Sequence, residues 1–86
     1  MENLRMMEEQ LAEAERRVMQ GELHVYRQRR AVRNLERDGH VAAAVEAKKL
    51  LREFEKLQQM HLAELGRLRA ECNLQSEKDR LREILR

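Results

Sequence analysis

Proline is absent from this 86-residue chain, and glycine occurs three times. With no proline to fix φ and remove a backbone donor, long unbroken helices are open to the sequence. Aromatics are nearly missing: Tyr26 and Phe54 are the two. So little ring area can build only a thin core. The one cysteine, Cys72, excludes an internal disulfide and suits a reducing compartment. No stretch approaches the ~18 apolar residues of a membrane span. The opening Met1-Glu2-Asn3-Leu4-Arg5 is not followed by the apolar core of a signal peptide. These absences predict a soluble, cytoplasmic chain with no membrane association.

What the sequence has is charge. Asp, Glu, Lys and Arg make up 40% of it, yet the net charge is only +2. Glu, Arg, Leu and Ala dominate, the composition of long helices and coiled coils. Near-balanced charge and regular apolar spacing argue against disorder. The length fits one small domain over residues 1–86. A core of this size supplies little stability alone, so association is the usual remedy.

The first helix, expected at about 3–38, is read from a heptad. Leu4, Leu11, Val18, Val25 and Val32 share one position, and Met7, Ala14, Gly21, Gln28 and Leu35 follow three residues later. This 3-4 spacing puts one stripe on one face. Continued onward, the frame would place Glu46, Lys49, Glu53 and Lys56 in the seam. The frame therefore breaks at Asp38-Gly39-His40, where Gly39 can take the left-handed conformation that ends a helix.

The second helix, expected at about 41–72, has its own stripe: Ala47, Leu50, Leu51, Phe54, Leu57, Gln58, His61, Leu65, Leu68 and Cys72. Folding at Gly39 sets Val32 by Ala47, Gln28 by Leu51, Val25 by Phe54 and Gly21 by Gln58. The same register sets Val18 by His61, Ala14 by Leu65, Leu11 by Leu68 and Met7 by Cys72. One register satisfying both stripes predicts an all-α antiparallel hairpin. Charge agrees in part, since Arg67, Arg69 and Lys78 would lie beside the acidic first 15 residues, and Glu46, Glu53 and Glu55 beside the arginine-rich 16–37. Beyond Asn73, Ser76-Glu77-Lys78-Asp79 resembles a helix start. The segment 76–86, with Leu81, Ile84 and Leu85, is expected to extend the second helix or to form a short third one.

Chemistry-bearing residues are few. His24, His40 and His61 each lack a second His or Cys three or four residues away, so no helical metal site is expected. His61 falls in the stripe and reads as a partly buried structural residue, and Cys72 as a small core residue with no activating base nearby. No catalytic motif and no cofactor site is expected, and a two-helix layer is expected to offer no cleft of ligand size. Arg27, Arg30, Arg33 and Arg37 form a basic segment that could track phosphates in a dimer. The competing reading is a solvated face paired with Glu36, Glu46 and Glu53. Met19, Leu23, Tyr26 and Leu62 lie outside the seam, as a second stripe for pairing with another hairpin would.

Gly21-Glu22, His24-Val25, Arg27-Gln28-Arg29, Leu35-Glu36-Arg37-Asp38-Gly39-His40, Leu50-Leu51, Phe54-Glu55 and His61 carry a resemblance. On these residues, the stretch from Val18 to Arg69 is similar to small helical proteins of rhizobia and related alphaproteobacteria. The resemblance implies a bacterial, cytoplasmic protein and brings no activity and no functional residue with it.

The expected architecture is a hairpin that dimerises into a four-helix bundle, with a seam of Leu11, Val18, Val25, Val32, Leu51, Phe54, Leu65 and Leu68. The expected function is non-enzymatic: protein binding and self-association. The alternative is a nucleic-acid-binding dimer using the arginine segment.

Overall fold

A computed structural model describes residues 2–86. Helix α1 spans Glu2–Arg37 and helix α2 spans Val41–Ile84, and the two pack antiparallel as a hairpin. The result is a rod of 70 × 15 × 14 Å.

The turn is built as the sequence predicts. Gly39 has φ +78°, and it is the only described residue with positive φ. The His40 amide donates to the Leu35 carbonyl at 2.9 Å and the Gly39 amide to the Glu36 carbonyl at 3.2 Å. This nested pair is the Schellman arrangement, which satisfies the last carbonyls of α1. Helix α2 begins at the next residue. Its N-cap, His40, makes no side-chain capping bond, and no acid lies in the first turn.

The seam forms in the expected register. Val18, Val25, Val32, Leu65 and Leu68 are buried, while Leu11, Leu51 and Phe54 are half-buried. Ala14, Val18, Leu65 and Leu68 make the tightest cluster, with Leu11 against it. Gly21 and Gln58 are in close contact. A Cβ on Gly21 would sit 1.7 Å from Gln58 Oε1, so the glycine makes the hole that the glutamine fills. Gln58 Nε2 then donates to the Val18 carbonyl at 2.9 Å, and Gln28 Nε2 donates to the Ala47 carbonyl at 2.9 Å. Both seam glutamines thus bond the backbone of the opposite helix and fix register.

Of the two expected courses for the tail, the first is found: α2 runs without a break through Asn73 and Ser76 to Ile84, because an isolated Asn or Ser weakens a helix by less than about 1 kcal/mol. Its last residues project past the start of α1, leaving Leu81, Ile84 and Leu85 exposed. Leu50 and Leu57 are on the flank of the stripe, each 46% exposed, since ten stripe residues span a wider arc than one neighbour can cover. Ala44, absent from the expected stripe, is buried at 4% exposure near the turn.

Candidate interaction surface

The rod has two broad faces, and the ion pairs tell them apart. On one, three pairs bridge the helices: Glu15–Arg69 at 4.0 Å, Arg29–Glu55 at 3.3 Å and Glu36–Lys48 at 3.2 Å. Between the first two, Tyr26 and Leu62 border a shallow groove with Glu22 and Gln59. Tyr26 is 58% and Met19 68% exposed. On the opposite face, Arg17, Gln20 and His24 line a small groove with Phe54, Leu57 and His61, and the His24 and Phe54 rings lie 5.7 Å apart. Leu50 and Met60 are exposed on α2.

Other ion pairs lie within single helices. Glu13 accepts from Arg16 and lies 3.6 Å from Arg17, and Arg67 bonds both Glu64 and, at 2.6 Å, Glu71. The Arg16 hydrogen bond holds the Glu13 carboxyl below its ordinary value, and the Arg67 hydrogen bond does the same for Glu64. The Glu64 and Glu71 bonds in turn raise Arg67. All are at the solvent-exposed surface, where such pairs contribute little stability.

The arginine segment is divided. Arg37 bonds Asp38 at 3.3 Å, but Arg27, Arg30 and Arg33 have no carboxylate within 4 Å among the described residues. Two of the acids expected to neutralise them are engaged by lysines instead, Glu36 by Lys48 and Glu46 by Lys49. Arg52 and Lys56 of α2, which sequence reading passed over, are likewise without an ion-pair partner among the described residues. Heptad position shows that both lie on the outer surface of α2, but only the fold brings Arg52 level with Arg27. The turn-proximal half, residues 24–56, holds nine Lys and Arg against five Asp and Glu. The rest of the chain holds nine against eleven.

Among the described residues no group of three or more His, Cys, Asp or Glu could hold a metal ion. Cys72 is buried and free. His61 is half-buried, with Nδ1 enclosed and unpaired. The expected lack of ligand-sized space is not met in volume: a groove of about 890 Å³ lies at the open end of the hairpin. It is lined largely by charged side chains, among them Arg5, Glu8, Arg82 and Arg86, because the overhang of α2 leaves that end wide. No described helix is long and apolar enough to cross a membrane.

No family model, curated protein or solved structure matches the chain.

Proposed function

We propose that this chain is a non-catalytic protein-interaction module that works as a self-associated helical hairpin. One observation carries the reading. Among the described residues fourteen large apolar side chains are exposed on the rod, while no large side chain is completely enclosed. A soluble monomer tolerates scattered apolar residues, but a two-helix layer with half-covered stripes gains by adding a further layer. Packing hairpin on hairpin completes a four-helix core, and the faces and ends left over remain for a protein partner.

The unpaired cations favour a second reading, nucleic-acid binding. Arg27, Arg30 and Arg33, with Arg52 and Lys56, make the turn-proximal half a surface able to track phosphates. With Tyr26 as the sole exposed aromatic, base stacking has little to work with.

A pull-down of tagged protein from native lysate, split into nuclease-treated and untreated halves, separates the two. The interaction-module reading predicts the same specific protein in both halves. Nucleic acid retained only without nuclease, and released by salt or by Arg30→Glu, would replace it with the second reading.

A further inference from the structure

We propose that a second copy of this chain covers the ion-pair face, with the turns of the two hairpins at opposite ends. This rests on the self-association reading and specifies its surface and orientation.

The face has an internal symmetry of charge. Glu15 and Arg29 lie seven residues to either side of Glu22, while Arg69 and Glu55 lie seven to either side of Leu62. Glu22 and Leu62 lie midway between the two ion pairs on their respective helices, and both line the groove between those pairs. A two-fold axis at that level, perpendicular to the helices, lays each helix antiparallel on its own copy. Glu15 then meets Arg29 of the second copy, and Arg69 meets Glu55. In these two pairs each swapped position carries the opposite sign, as an isologous interface favours; the third pair falls outside the match, with Glu36 set by Glu8 and Lys48 by Ser76. Two bridging ion pairs become two four-charge clusters.

The apolar groups obey the same centre. Met19 and Tyr26 lie three and four residues from Glu22, so the axis sets Tyr26 of one copy against Met19 of the other. Leu62, 42% exposed, falls against itself. Glu22 meets its like on the axis and Glu36 meets Glu8 farther out, and all three are exposed side chains that can turn to solvent.

Orientation follows from the charge of the halves. Turns at the same end would stack the cation-rich half, nine cations to five acids, on its own copy. Turns at opposite ends place it against the half with nine cations to eleven acids. The axis level also lies near mid-length of α2, Val41–Ile84, so the opposed rods overlap along most of their length. A face 70 Å by 15 Å offers about 1,000 Å², enough for the ~800 Å² per partner of a stable interface. On the opposite face, by contrast, Leu50, Leu57 and Met60 lie toward the turn and Glu64, Arg67 and Glu71 toward the open end, with no matching swap.

The test joins a mass measurement to one distance. His40→Cys in a Cys72→Ala background carries one spin label at each turn. The proposal predicts a dimer with a label separation of roughly 60 Å, from ~1.5 Å per residue over the 18 residues from Glu22 to His40 and the 22 from His40 to Leu62, averaged and doubled. It also predicts that Leu62→Glu, at an exposed position, keeps its helical content and weakens the dimer about tenfold or more. A dimer with its labels within about 25 Å, or one indifferent to Leu62→Glu, overturns the proposed face and orientation and leaves self-association standing. A monomer at every concentration overturns self-association itself.

Discussion

Gly21 and Gln58 show how one residue can decide register. Alanine is normally better than glycine inside a helix by about 1 kcal/mol. Here a Cβ would occupy the site of the Gln58 carboxamide and force it away from the Val18 carbonyl. The cost of Gly21→Ala therefore depends on residue 58. In a Gln58→Ala background the same change should stabilise by about 1 kcal/mol. In the parent that gain should be cancelled or reversed, giving a coupling of at least about 1 kcal/mol in a denaturation cycle. Equal effects in both backgrounds would mean that the two residues do not touch. The sequence placed these two opposite each other, but not the hydrogen bond to the backbone. A heptad frame gives the level of a side chain along the helix, whereas the path of a flexible amide depends on the space its neighbours leave.

Acid sensitivity belongs to the same scale. Arg16 and Arg67 hold Glu13 and Glu64 below the ordinary carboxylate value of 4.5. A carboxyl lowered in the folded state contributes its stabilisation above its unfolded value and loses it as pH falls through the lowered one. Melting temperature should thus fall between about pH 5 and about pH 3, and Glu64→Gln should flatten part of that fall. A variant with the same acid profile as the parent would show that the Glu64–Arg67 pair is equally formed in the unfolded chain.

At the scale of elements, the turn was the most legible feature, because a broken heptad and a glycine fell at one place. The positive φ at Gly39 makes a direct prediction: Gly39→Ala should cost about 1–2 kcal/mol, read by urea denaturation. An unchanged midpoint would show that the turn relaxes to negative φ. The end of α2 was less legible. Ser76-Glu77-Lys78-Asp79 has the residue types of an N-terminus, but those types matter only where a helix has already stopped. With neither Gly nor Pro between Gly66 and Arg86, nothing stops this one. The misplacement of Leu50 and Leu57 has a different cause. A stripe drawn from apolar residues shows what can be buried, and only the number of neighbouring helices decides how much of it is.

For the whole molecule the same point becomes a question of layers. The hairpin follows from pattern, turn and register together, yet it leaves Leu11, Leu51 and Phe54 only half-covered. Its charges are arranged by halves, a property invisible in a net charge of +2. That asymmetry appears only once the chain is folded on itself, when the arginines of α1 come level with Lys48, Lys49, Arg52 and Lys56 of α2.

Light scattering on the protein as it elutes from a sizing column is the first measurement to make. Self-association predicts a molar mass of twice the 10.3 kDa chain, persisting on moderate dilution. A mass of 10.3 kDa at every concentration would contradict it and would leave the half-covered seam as a property of a stable two-helix monomer.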